Sequence, residues 1–127
     1  MEKAIRILVV EDDPDLGTMI KMLLEHKGFA VTLTASIEQT KEILSNNNID
    51  LILMDMLLSG ANGIDICAAL KNNNKTKAIP VMMISAHPNA MELCMEAGAD
   101  DFIPKPFDMQ ELIAKVNSLI NEDRKAK

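Results

Sequence analysis

Five times along its 127 residues the chain passes from a short apolar run to a stretch whose apolar residues recur every three or four positions. The first, third and fourth runs (5–10, 51–54 and 81–84) are apolar at nearly every position. A strand with neither face in water has that pattern, and a sheet covered on both sides accommodates it. Strands that alternate with helices imply parallel pairing through right-handed crossovers. The second run, Val31-Thr32-Leu33-Thr34, alternates in polarity, and the last, Phe102-Ile103, is short. Both suit sheet edges. The expected architecture is α/β: a doubly wound, five-stranded parallel sheet in the order 2-1-3-4-5 with helices on both faces.

The punctuation agrees. Asp13 is the expected N-cap of a first helix, with Pro14 in its first turn, apolar positions at Leu16, Met19, Ile20, Leu23 and Leu24, and Gly28 as its stop. Ser36 caps a second helix with Ile37, Thr40, Ile43 and Leu44 inward. Residues 59–63 read as a loop, and a third helix carries Ile64, Cys67, Ala68 and Leu70. A fourth, near 89–97, presents Ala90, Leu93, Cys94 and Ala97 on one face and stops at Gly98. The last carries Met109, Leu112, Ile113, Val116, Leu119 and Ile120. One domain over 1–121 and a charged tail over 122–127 are expected.

The formal net charge of −6 is the wrong sign for a module that tracks phosphates, so this chain alone is not expected to bind nucleic acid. No apolar run approaches the roughly 20 residues of a membrane span, and the start lacks a signal-peptide core. A cytoplasmic location without membrane association is the expectation. Cys67 and Cys94 lack metal-ligand spacing and are expected as reduced, buried thiols. The 10 methionines are expected to fill core gaps, Met91 and Met95 included, although those two also suit a partner-binding face.

The chemistry lies where the runs stop. The first ends at Glu11-Asp12-Asp13, the third at Asp55, the fourth at Ser85 and the fifth at Lys105. In a parallel sheet these ends share one edge, where open α/β sheets place their ligands. Crowded carboxylates repel, and a hard divalent cation relieves them; Mg²⁺ takes carboxylates, waters and phosphate oxygens. Without a Cys/His cluster, zinc is disfavoured. Carboxylate, metal, ammonium and hydroxyl together suit the stabilisation of a transferring phosphoryl group, with Asp55 as nucleophile. Asp13 and Asp15 are assigned instead to the helix N-terminus, and His26 to a solvated helix end.

In this order and spacing, Leu8-Val9-Val10-Glu11-Asp12, Leu53-Met54-Asp55, Ile84-Ser85-Ala86 and Ala97 to Phe107 with Lys105-Pro106 resemble the receiver domain of two-component response regulators, the CheY-like superfamily. The resemblance runs over about the whole chain. It implies a flavodoxin-like (βα)5 fold and assigns roles by position. Asp55 becomes the phosphoacceptor. Glu11, Asp12, Asp55 and the backbone carbonyl of Leu57 become the Mg²⁺ ligands. Ser85 and Lys105 become the phosphoryl contacts, and Phe102 the rotating aromatic. Leu57 and His87 become the positions that tune phosphoryl lifetime, and Lys105-Pro106 a cis peptide. Ser59 and Asn62 depart from the family's common proline and aspartate.

The implied function is a phosphoaccepting switch rather than an enzyme on external substrates. A sensor histidine kinase, a histidine phosphotransfer protein or a small acyl phosphate would be the donor. The surface of the fourth helix, fifth strand and fifth helix would signal to a partner or output domain, as a monomer or a phosphorylation-dependent dimer. A metal-dependent phosphatase would want a general-acid aspartate where Leu57 stands. A nucleotide-binding module would want a glycine-rich loop after the first strand, where Glu11-Asp12-Asp13-Pro14 would repel phosphates.

Overall fold

A computed structural model describes residues 4–58 and 61–126, with side chains to residue 121. In chain order the elements are β1 (Arg6–Val10), α1 (Pro14–His26), β2 (Ala30–Thr34), α2 (Ile37–Asn46), β3 (Leu51–Asp55), β4 (Leu57–Leu58), β5 (Ala61–Asn62), α3 (Gly63–Lys71), β6 (Val81–Ser85), α4 (Ala90–Glu96), β7 (Asp101–Pro104) and α5 (Met109–Ala126). The main sheet has the order β2-β1-β3-β6-β7, parallel throughout. This is the expected flavodoxin-like topology, because β4 and β5 pair only with each other.

Of that antiparallel pair, β5 lies in the stretch read as a loop and β4 just before it, and each strand has two residues. Two residues are too few to leave a period-2 pattern. Ser59 and Gly60 fall outside the described residues, as does the side-chain structure of the tail.

The helix signals correspond to contacts. Asp13 Oδ1 accepts from the backbone N–H groups of Asp15 (3.0 Å) and Leu16 (3.3 Å), and Ser36 Oγ accepts from that of Gln39 at 3.2 Å. Gly28 and Gly98 end α1 and α4 at φ of 97° and 100°, a region that L side chains avoid.

Alternation along the strands divides the interior into two layers. Ile7, Val9, Leu51, Leu53, Met82, Ile84 and Ile103 face α1 and α5, meeting Ile20, Leu24, Leu112 and Val116. Leu8, Val10, Ile52, Met54, Val81, Met83 and Phe102 face the other way, onto Cys67 and Leu70 of α3 and Ala90 and Cys94 of α4. Both cysteines are free and buried, and burial pushes the Cys67 thiol up to about 11 and raises that of Cys94. Neither is a reactive thiolate at neutral pH.

The helix faces are narrower than the sequence suggests. Met19 is exposed, because Ile20 and Leu24, one turn apart, fill α1's contact with the sheet. Leu93 is also exposed: α4 has seven residues, and only Ala90 and Cys94 reach the core. Met91 and Met95, expected inside, are 63% and 43% exposed on the opposite side of that helix, and Met22 is exposed on α1. Methionine is apolar but unbranched and adaptable, so its presence marks a core position weakly.

Candidate functional site

Register brings the site together. Val10 pairs with Met54, Asp55 with Ile84 and Ser85 with Pro104, so the carboxyl ends of β1, β3, β6 and β7 lie side by side. The ladder continues just past the strands: Glu11 N–H donates to the Thr34 carbonyl at 3.0 Å, Met56 N–H to that of Ile84 at 2.9 Å, and Lys105 N–H to that of Ser85 at 2.9 Å. Each functional side chain therefore leaves a backbone held by a neighbouring strand.

Glu11, Asp12 and Asp55 each bring a carboxylate oxygen to within 4.8 Å of the other two. Glu11 and Asp55 are only 3% and 5% exposed, and Asp12 is half-buried. Lys105 Nζ donates to Asp55 Oδ2 at 2.6 Å and lies 3.3 Å from Glu11 Oε1. The second Asp55 oxygen, Oδ1, accepts from the Leu57 backbone N–H at 2.9 Å. Both oxygens of Asp55 are thus oriented, one by a charge and one by the backbone.

Glu11 is the uncomfortable member. Its Oε2 accepts from Asp13 N–H at 3.2 Å, while Oε1 is fully buried and has only the ion-pair proximity of Lys105, without hydrogen-bond alignment. Burial, and after it the hydrogen bond that a protonated Glu11 would share with Asp55 and the charge of Asp55, push the Glu11 carboxyl up to about 7, against the opposing pull of Asp13 N–H and Lys105. Lys105 shows the reverse balance. Burial works to lower it, but the hydrogen bond and negative charge of Asp55, with the charge of Glu11, outweigh that and raise its pKa. Glu11 and Asp55 share the Lys105 ammonium, and a buried oxygen of Glu11 has no aligned donor, which leaves a deficit of positive charge between them. A divalent cation with oxygen ligands fits that deficit.

Ser85 closes the next strand, 2% exposed, and its Oγ accepts from His87 N–H at 3.0 Å. His87 is exposed, and its Nδ1 accepts from Asn89 N–H at 3.2 Å. Phe102 is buried beside Met83 in the layer under α3 and α4. The Leu57 side chain is 59% exposed beside the acids, and the Lys105–Pro106 peptide is cis. Glu11, Asp12, Asp55 and Lys105 therefore form one cluster. Ser85 stands at the adjoining strand end, and Leu57 and His87 face solvent above it.

Two contributors escaped the sequence reading. Leu57 was expected at the site through its carbonyl and side chain, but its backbone N–H, which holds Asp55, is a contact that residue identity does not reveal. Gly63 opens α3 against the back of the site: its N–H donates to the Met56 carbonyl at 2.7 Å. A Cβ there would press on the Asp55 carbonyl and stand 3.0 Å from Met56 Cα. A glycine at the start of the helix that follows the strand-end Asp55 was the available signal, since close backbone approach is one reason for glycine.

An acidic cluster suited to a divalent cation, with a lysine across it, at the carboxyl edge of a doubly wound sheet is the class of site seen here. Comparison with known proteins narrows the class. The family model described as the response regulator receiver domain matches residues 7–117. The DNA-binding response regulator MtrA of Mycolicibacterium smegmatis is 37% identical over 95% of this chain and 54% of its own length. The transcriptional regulatory protein CpxR of Escherichia coli K12 is 38% identical over 91% of this chain and 49% of its own. The chain thus spans about half the length of these curated relatives. Among solved structures, the receiver domain of a sensor histidine kinase from Pseudomonas aeruginosa PAO1, with magnesium coordinated in its active site cleft, superimposes with a TM-score of 0.84. It is 29% identical, over 94% of this chain and 99% of that one. The chain belongs to the response regulator receiver domains of two-component systems.

Proposed function

We propose that this chain is a phosphoaccepting switch with Asp55 as the acceptor. The donor is a phosphohistidine on a sensor histidine kinase or histidine phosphotransfer protein, or a small acyl phosphate. The observation that carries this reading is the grip on Asp55: one oxygen held by Lys105 at 2.6 Å, the other by the Leu57 N–H at 2.9 Å, beside two further acids. An Asp55 oxygen attacks phosphorus; the P–N bond breaks, its electron pair leaves with the imidazole nitrogen, and an acyl phosphate remains. The fixed carboxylate needs no reorientation, and Lys105 places positive charge where phosphoryl oxygens gather. Glu11, Asp12, Asp55 and the Leu57 carbonyl would hold Mg²⁺. When bound, that ion supplies neutralisation of the carboxylate and phosphoryl charge.

Ser85 then exchanges its contact with His87 N–H for a phosphoryl oxygen, and Phe102 moves toward the space it leaves. The surface of α4, β7 and α5 shifts in population and is read by a partner or output domain, in a monomer or a phosphorylation-dependent dimer. Leu57 and His87 stand where they can shield or steer the water that hydrolyses the acyl phosphate. The protein acts on its own phosphoryl group only and works in the cytoplasm. No helix among the described residues is long and apolar enough to cross a membrane, in keeping with that location.

The test is incubation with acetyl phosphate, with and without Mg²⁺, followed by intact mass. A Mg²⁺-dependent gain of one phosphoryl group, absent in Asp55→Asn, is the expected result. Equal labelling of Asp55→Asn would reject Asp55 as the acceptor.

A further inference from the structure

Away from the acidic edge, α2 and α3 diverge over the sheet and leave a cavity of about 630 Å³ between them. That volume lies within the range of small-molecule sites. Ile37 and Leu44 of α2 and Ile66 and Ala69 of α3 supply apolar walls. The hydroxyls of the lining are already committed, and Asn73 Oδ1 accepts from Lys75 N–H at 2.8 Å. Thr40 Oγ1 donates to the Ser36 carbonyl at 2.8 Å, Thr76 Oγ1 to that of Leu70 at 2.7 Å, and Ser45 Oγ to that of Glu42 at 2.9 Å. The cavity thus offers a ligand an apolar surface and few uncommitted hydrogen-bonding groups.

Its charges are different. Lys41 of α2 and Lys75 of the α3–β6 connection both line the cavity, and neither makes an ion pair among the described residues. Asp65, in the first turn of α3, is the single acid of the lining. In a chain of net charge −6, this apolar groove carries a net positive rim. We propose that it binds a small amphipathic carboxylate, whose apolar body lies between α2 and α3 and whose anionic head is met by Lys41 and Lys75. The site is distinct from the Asp55 cluster and does not depend on phosphorylation.

The test is a titration of the whole chain with decanoate, followed by ¹H–¹⁵N NMR, with decanol as the uncharged control. Saturable shifts centred on Ile37, Leu44, Ile66 and Ala69 are expected. Exposed ion pairs contribute modestly, so the double variant Lys41→Gln/Lys75→Gln should weaken decanoate about tenfold and leave decanol unchanged. Ala69→Trp, at an exposed position, should fill the groove and abolish both. Absence of saturable shifts, shifts mapping elsewhere, or equal weakening of decanoate and decanol by the lysine variant would overturn the proposal. So would a dimer in sedimentation that Ala69→Trp disperses, because a second copy would then be the occupant.

Discussion

Glu11→Gln should make this protein more stable, even though it damages the site. Glu11 is buried, shares its surroundings with Asp55, and has its carboxyl pushed from the ordinary 4.5 to about 7. Without a metal ion, the folded chain therefore keeps a proton on this group that the unfolded chain has already lost. The sign follows: stability falls as pH rises from about 4.5 to about 7 and levels off above. At roughly 1.4 kcal/mol per pKa unit the full loss is about 3 kcal/mol. This is a ceiling, because the proton on Glu11 is shared with the charges packed around it. Glutamine is nearly isosteric and carries no charge, so at pH 8 in EDTA the variant should exceed the parent by up to about 3 kcal/mol in urea denaturation. The gap should close toward pH 4.5, and saturating Mg²⁺ should narrow it at pH 8 by stabilising the parent more. Denaturation midpoints that run parallel from pH 4.5 to 8.5 would show that Glu11 is not held in conflict with its surroundings.

The same conflict predicts that Mg²⁺ binding releases a proton: affinity should rise with pH up to about 7, read by isothermal titration in buffers of different ionisation enthalpy. Asp12→Ala should weaken Mg²⁺ by about tenfold or more while shifting the melting temperature little, because Asp12 is half-buried. Lys105→Ala removes the 2.6 Å partner of Asp55; it should slow acetyl phosphate labelling by about tenfold or more, with Mg²⁺ affinity largely kept. Labelling at the parental rate would remove Lys105 from the mechanism. Gly63→Ala forces a methyl group against the Asp55 and Met56 backbone and should cost about 1–3 kcal/mol in thermal unfolding. It should also weaken Mg²⁺ by displacing the segment that carries Leu57.

Most of the fold could be read from the chain because its strands are buried on both faces. Runs such as Ile7-Leu8-Val9-Val10 and Val81-Met82-Met83-Ile84 have few other uses in a chain of this charge. The alternation in β2 marked an edge, and Asp13 and Ser36 marked helix starts with local side-chain bonds that do not wait for tertiary structure. What escaped depends on distance in space. Met19, Leu93, Met91 and Met95 sit at helical spacings that suit burial, but how much of each helix meets the sheet is decided by the sheet. The approach of Gly63 to Asp55, and the poor alignment of Glu11 Oε1 with Lys105, arise between segments that meet only after folding. The acids could be listed from strand ends; their unequal comfort could not.

The two layers flanking the sheet also differ in what they are made of. The buried part of the side under α1 and α5 is isoleucine, leucine and valine apart from Met82, with Met109 packed at its margin. The side under α3 and α4 holds Met54, Met56 and Met83, both thiols, two buried alanines and Phe102. Branched aliphatics have few rotamers and resist repacking, whereas thioethers and small side chains accommodate it. The molecule is therefore mechanically lopsided, with a stiff back and a compliant front. A displacement started at the end of β3 or β6 is expected to find the methionines and small side chains that can repack on the side of Phe102 and α4, although branched aliphatics such as Leu8, Ile52 and Val81 line that side as well.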